Sequence, residues 1–200
     1  MINKALSHFK KGDIVIFPTD TVYGIGCRLS DEEAIRRVYK VRSDAPAKPQ
    51  LILTCCITQA FEYGFFDSAA ARFVKIFWPG PLTTVVKAKE KVPKAIRGRN
   101  GTVGIRIPDQ PPILEIIRRL GEPILAPSAN FHGGRSPTSF AEIDKGLIAL
   151  VDYAFELRNQ PDSKQMALKP STLIDLTKRP YKVLRKGAFS LNKLKSLGGF

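Results

Sequence analysis

The chain has 200 residues, 44% of them hydrophobic, and a formal net charge of +14 from 32 Lys and Arg against 18 Asp and Glu. That length suits one domain spanning 1–200 with a core that needs no covalent staples, and the charge suits either polyanionic partners (nucleotide or RNA) or a generally basic solvated surface. Three cysteines without a CxxC pair and only two histidines exclude a disulfide framework and a histidine-rich metal cluster, and they leave few members for a Ser-His-Asp triad.

No apolar stretch approaches the length of a membrane span and the N-terminus lacks a secretory apolar region, so a cytoplasmic protein without a membrane partner is expected. In chain order, Ile14-Val15-Ile16-Phe17 is predicted as a buried strand that closes at Pro18, with polar Thr19-Asp20-Thr21 emerging at its end. Gly24-Ile25-Gly26 lacks the third glycine of a dinucleotide fingerprint, and no GxxxxGK[ST] occurs. Ser30-Asp31-Glu32-Glu33 has the pattern of a capping box and opens an amphipathic helix through Ala34, Ile35, Val38 and Tyr39 to Lys40-Val41-Arg42.

Further strands are predicted over 50–54, 82–88, 102–107, 124–126, 151–156, 172–176 and 182–184, and helices over 68–77, 111–120 and 139–145. Residues 158–170 form a polar, irregular stretch read as a long loop or lid, and a short helix with a frayed end is expected from Ser190. Strands outnumber helices and their connections vary in length. The expected fold is therefore α/β: one domain built on a mixed, twisted sheet with flanking helices.

Polar strand ends and turns supply the candidate chemistry. Between Pro127 and Ser136, a strand ends in Ser128-Ala129-Asn130 and is followed by Gly133-Gly134, which suits close backbone approach to a phosphate and equally an ordinary Gly/Ser turn. Lys40 and Arg42 at a helix end complement the helix dipole or, with Lys48, converge on a triphosphate. Asp20 reads as a turn acceptor, Trp78 as a core aromatic and Arg106 as a cation at a strand end.

Taken in order, Pro18-Thr19-Asp20-Thr21-Val22-Tyr23-Gly24, Lys40-x-Arg42, Lys48-Pro49, Trp78-Pro79-Gly80-Pro81-Leu82-Thr83, Val103-Gly104-Ile105-Arg106-Ile107-Pro108 and Pro127-Ser128-Ala129-Asn130 form a distinctive set. The series continues through Ser136-Pro137-Thr138, Pro170-Ser171-Thr172-Leu173-Ile174-Asp175 and Leu184-Arg185-Lys186-Gly187. This sequence resembles the YrdC-like threonylcarbamoyl-AMP synthases, in their short single-domain form, over nearly its whole length.

The resemblance implies the family's open twisted sheet with a basic concave surface, and a nucleotidyltransferase that joins L-threonine, bicarbonate and ATP into threonylcarbamoyl-AMP with release of pyrophosphate. The product would serve threonylcarbamoyl-adenosine modification of tRNA, with transfer left to other proteins and tRNA itself a candidate direct partner. Thr21, Arg106, Ala126 and Ser171 would hold threonine, Ala126 through its backbone. Lys40, Arg42, Lys48, Thr102, Ser128, Asn130, Ser136 and Arg185 match the positions that serve ATP. Mg²⁺ would accompany ATP without dedicated protein ligands, Asp20 would assist from behind, and no residue would act as a covalent nucleophile.

Where many family members carry a threonine-contacting histidine soon after the Lys-Pro pair, this chain has Gln50-Leu51-Ile52-Leu53. The competing expectation is an RNA-binding paralogue of the same fold without efficient synthesis, which rests on the net charge and on that missing histidine. A carbamoyl-adenylate transferase of the hydrogenase-maturation kind ranks below both, because the modules that accompany that domain are absent.

Overall fold

The structure, a computed structural model, describes residues 1–43, 49–156 and 166–192. Lys48, most of the predicted 158–170 loop and nearly all of the predicted C-terminal helix lie outside the described residues.

The sequence reading assigns no element to the N-terminus, where the chain forms α1 (Ile2–Lys11). Its signal is short but present: Ala5, Leu6 and Phe9 recur at helical spacing and are buried, and Gly12 closes the helix in the left-handed conformation. Strand β1 (Val15–Phe17) then pairs antiparallel with β2 (Gly24–Gly26), a segment too short and glycine-rich to stand out as a strand. Helix α2 (Glu32–Arg42) is capped by Asp31 rather than by the Ser30 of the predicted box. The Asp31 carboxylate accepts the Ala34 amide, whereas the Ser30 amide and hydroxyl are bonded to Glu122.

The chain continues through β3 (Leu51–Leu53), α3 (Ile57–Tyr63), β4 (Gly64–Phe65), α4 (Ser68–Phe77), β5 (Leu82–Ala88) and β6 (Thr102–Arg106). It closes with α5 (Pro111–Leu120), β7 (Ile124–Leu125), α6 (Lys145–Ala149), β8 (Tyr153–Ala154), β9 (Thr172–Asp175) and β10 (Lys182–Arg185). The helix predicted over 139–145 divides, with a 3₁₀ turn at Phe140–Glu142 and α6 beginning after it. Asp144 is the reason, because its side chain accepts the Gly146 and Leu147 amides and starts a new helix.

The larger sheet runs β10-β9-β5-β6-β3-β7 with β4 added to β5, and mixes parallel pairs (β3 with β6, β5 with β9) and antiparallel ones. The smaller runs β2-β1-β8. One segment stitches them together: Leu125 donates to Cys27 O and Ile25 to Pro127 O, while Ala126 donates to Leu51 O in the larger sheet. Gly26 permits this approach, since a Cβ there would lie 1.6 Å from Leu125 O.

Alternation explains why these strands are apolar throughout. Val15, Phe17, Leu53 and Ile124 pack with α1 and α5, while Ile14, Ile16, Ile52 and Leu125 join the cluster that holds Ile35 and Val38 of α2. Strands covered on both faces read as continuous hydrophobic runs. No helix among the described residues is long and apolar enough to cross a membrane.

Candidate functional site

A cleft of about 470 Å³ lies on one face of the larger sheet. Alternate residues supply its floor: Leu51 and Leu53 of β3, Gly104 and Arg106 of β6, Thr83 and Val85 of β5, and Leu173 of β9. Register places Leu51 beside Gly104 and Leu53 beside Arg106, and the missing side chain at Gly104 leaves a hollow between Leu51 and Val85. Strand ends and loops form the walls, through Thr19 and Thr21 after β1, Ala126 and Ser128 after β7, and Ser171 before β9.

Arg106 is the fixed point of this floor. The side chain is 2% exposed, and three of its N–H groups are engaged. Nε donates to Gly80 O at 2.9 Å, Nη1 to Thr21 Oγ1 at 2.7 Å, and Nη2 to Asp20 Oδ1 at 2.5 Å. The motif around Trp78 thereby acquires a role beyond core packing, since the turn it anchors presents the Gly80 carbonyl; Trp78 Nε1 itself donates to Leu82 O. Asp20 in turn is set by a tight turn in which Thr19 Oγ1 accepts the Thr21 and Val22 amides and donates to Val22 O.

Opposite lies a hydroxyl pair, Thr83 Oγ1 and Ser171 Oγ, hydrogen-bonded at 2.7 Å. Arg185 Nε and Nη2 both donate to Ser171 O, and Nη2 reaches Ser171 Oγ at 3.3 Å. The residue as a whole is open to solvent at the cleft mouth. Its guanidinium is enclosed enough that desolvation, and then the charge of Arg106, push its pKa below the ordinary arginine value. Two guanidiniums thus share one corner, with Asp20 bonded to one of them. No Asp or Glu lines the cleft among the described residues, so its field favours anions.

On the far wall, Arg42 is buried at 7% exposure and donates from Nε to Asn130 O, while its own carbonyl accepts the His132 amide. The 130–134 turn is therefore tied to the last turn of α2, and Gly133 supplies its left-handed residue. Tyr23 closes the cleft behind the β1 turn; burial, and then the Glu156 carboxylate, push its phenol up to about 12.

Thr21, Arg106, Ala126 and Ser171, proposed above for threonine, all line this cleft, as do Arg42, Ser128, Ser136 and Arg185 from the nucleotide set. The Ala126 amide is committed to Leu51 O, so a backbone contact from Ala126 to a ligand falls to its carbonyl. Lys40 does not join them: α2 stays helical to Arg42, which turns Arg42 inward and leaves Lys40 exposed. Thr102 shares a face with Arg106 but begins the strand, four residues and roughly 13 Å away. Asn130 supports the cleft from behind, its Nδ2 donating to Phe131 O and Gly134 O while Oδ1 is buried with no donor in reach among the described residues.

The sequence reading overlooks Thr19, Thr83, Gln50 and His132, which also line the cleft. Thr83 left a trace, as a hydroxyl inside the otherwise apolar run of β5. His132 sits in an irregular segment with no periodic signal, and Gln50, predicted as the first residue of a strand, lies just before β3. Leu53, near the place where the resemblance expects a histidine, is fully buried and adds to an apolar floor.

Among the described residues, no group of three or more His, Cys, Asp and Glu gathers as a metal site. A family model described as "Telomere recombination", that of the Sua5, YciO and YrdC proteins, matches residues 7–187. A Methanocaldococcus jannaschii protein provisionally named threonylcarbamoyl-AMP synthase is 35% identical over 196 residues, 96% of this chain and 89% of the relative. The threonylcarbamoyl-AMP synthase of Pyrococcus abyssi is 33% identical, and the chain spans 57% of its length. Its solved structure in complex with L-threonine superimposes with a TM-score of 0.90 over 99% of this chain and 57% of that one. Escherichia coli YciO, described as uncharacterised, is 30% identical over 94% of this chain and 89% of its own, and its crystal structure gives a TM-score of 0.84.

Proposed function

This chain belongs to the Sua5/YciO/YrdC family, and from that premise we propose that it is a threonylcarbamoyl-AMP synthase, joining L-threonine, bicarbonate and ATP with release of pyrophosphate. One observation carries the reading. Thr21, Arg106, Ala126 and Ser171, which the resemblance assigns to threonine, line the same cleft as Arg42, Ser128, Ser136 and Arg185, which it assigns to ATP.

In this reading the threonine amine takes up carbon dioxide as a carbamate, and a carbamate oxygen attacks the α-phosphorus of ATP. The bond from that phosphorus to the α–β bridging oxygen breaks, and pyrophosphate leaves. No protein nucleophile is required; the protein must hold two anionic partners in line and neutralise phosphate charge. Arg106 is suited to the threonine carboxylate because three of its N–H groups are anchored and its planar fork retains others. Thr83 and Ser171, paired at 2.7 Å, offer a substrate hydroxyl a partner without leaving a lone buried polar group beforehand.

Arg42 and Arg185 line the cleft for the phosphates, with Ser128 following β7 and Ser136 following the 130–134 turn. The apolar floor around Leu51, Leu53 and Val85 keeps the local dielectric low, so each cation acts more strongly than in water. Mg²⁺ enters as the partner of the ATP phosphates: the cleft's donors are cations and hydroxyls, and Asp20 is already bonded to Arg106. The product would pass to proteins that modify tRNA, and the net charge of +14 would favour tRNA as a direct partner.

The test is pyrophosphate release by the purified chain with ATP, Mg²⁺ and bicarbonate, comparing L-threonine, L-serine and no amino acid. Threonine-dependent release is expected. Absence of release beside tight, salt-sensitive RNA binding would overturn the synthase reading in favour of a binding protein of the same fold.

A further inference from the structure

The turn that follows β3 carries a feature the proposed reaction does not use. Cys55 and Cys56 place their sulfurs 3.9 Å apart, with Cys56 exposed, Cys55 half-buried, and the third cysteine, Cys27, buried elsewhere. We propose that this pair is a two-thiol binding site for a soft trivalent arsenical, whose arsenic atom bridges both sulfurs.

Three observations select that chemistry. Adjacent Cα atoms lie about 3.8 Å apart across a trans peptide, below the roughly 4.4–6.8 Å that relaxed disulfides span. A direct bond between these sulfurs is therefore strained, whereas a bridging atom needs no sulfur–sulfur contact. No group of three or more His, Cys, Asp and Glu occurs among the described residues, so a zinc ion would lack its protein ligands. A monosubstituted arsenical needs only two thiolates, because its organic substituent fills the third position.

Finally, the two thiols differ in access. Exposed Cys56 reacts first, and Cys55, whose thiol is pushed up to about 11 by burial and then by its neighbour, closes the ring as an intramolecular step.

The reaction balances without an oxidant. An arsenoso group, R–As=O, takes two S–H groups, forms two As–S bonds and releases one water, and arsenic stays trivalent throughout.

The site adjoins the cleft through covalent and hydrogen-bonded neighbours. Cys56 Sγ accepts the Gln59 amide at the start of α3, and Gln59 Oε1 accepts the Cys55 amide at 2.8 Å. One residue earlier, the Thr54 amide donates to the carbonyl of Arg106 at 3.0 Å.

The experiment incubates the reduced full chain with phenylarsine oxide and reads intact mass. One adduct per chain is expected, formed with loss of water, resistant to excess monothiol and removed by a dithiol. Because the second sulfur adds through an intramolecular contact, Cys55→Ser and Cys56→Ser should each weaken binding on the order of 10²-fold, while Cys27→Ser should bind as the parent does. Cys56→Ser retains an oxygen acceptor at the helix start, so an unchanged far-ultraviolet circular dichroism spectrum is expected. A monothiol-resistant adduct that survives either single substitution overturns the proposal, and so does failure of the parent chain to take up the reagent.

Discussion

The Asp20–Arg106 pair permits a quantitative test, because both partners are buried and the cation has two further acceptors. In Arg106→Met the carboxylate of Asp20, 7% exposed, loses its counter-ion. Breaking a buried pair from one side costs about 3–5 kcal/mol. Asp20→Asn keeps an oxygen acceptor for Nη2 and sacrifices only the charge assistance, which costs about 1–2 kcal/mol. In the double variant Asp20→Asn/Arg106→Met no charge is stranded, so its cost should fall below that of Arg106→Met alone, with a coupling of about 2 kcal/mol or more.

Urea unfolding at pH 7, fitted with a common slope for the four proteins, measures each term. A double variant whose cost equals the sum of the two single costs would refute the argument that Asp20 and Arg106 neutralise one another. The same set reports on the cleft. Threonine-dependent pyrophosphate release should collapse in both Arg106→Met proteins and persist at a raised threonine requirement in Asp20→Asn, because the cation that meets the carboxylate survives only there.

Three further outcomes follow from the geometry. Arg42→Ala should raise the ATP requirement about tenfold or more, whereas Lys40→Ala, on the exposed side of the same helix, should leave it unchanged; initial rates against ATP concentration separate them. Tyr23 is neutral in the fold until about pH 12 but ionises near pH 10 when unfolded, so its stabilisation is complete below pH 10 and is lost as pH rises towards 12. Tyr23→Phe should therefore flatten the decline of denaturation midpoints across that interval, and an unaltered slope would contradict the assignment. Gly26→Ala forces a Cβ to within 1.6 Å of Leu125 O and should cost at least about 3 kcal/mol, a melting temperature lower by roughly 6–12 °C in calorimetry.

How far the sequence reaches differs between elements. Helices α4 and α5 and strand β5 have the bounds that periodicity predicts, because each is long enough to repeat its pattern and begins at a recognisable residue: Asp67 caps α4, and Pro111 opens α5. Strand β2 and helix α3 are too short for a period, and what makes Gly24–Gly26 a strand is the partner that β1 provides. The ordered motifs, read as a set, were enough to name a family and to nominate the cleft's arginines, Arg42, Arg106 and Arg185, with Thr21, Ser128, Ser136 and Ser171.

Sequence alone could not decide which nominated side chains share a space. Lys40 and Arg42 are two residues apart, yet the helix sends one outward and one beneath the Asn130 carbonyl. Thr102 and Arg106 share a strand and a face, but the strand's rise separates them. Thr83 meets Ser171 only because β5 and β9 pair in parallel across nearly half the chain. Composition and local pattern determined the longer elements, their apolar faces and the positive charge, since these depend on residues near one another in sequence. The cleft, the neutralised arginine and the hydroxyl pair depend on strand order and register, which are settled only when distant segments bury their backbones against each other.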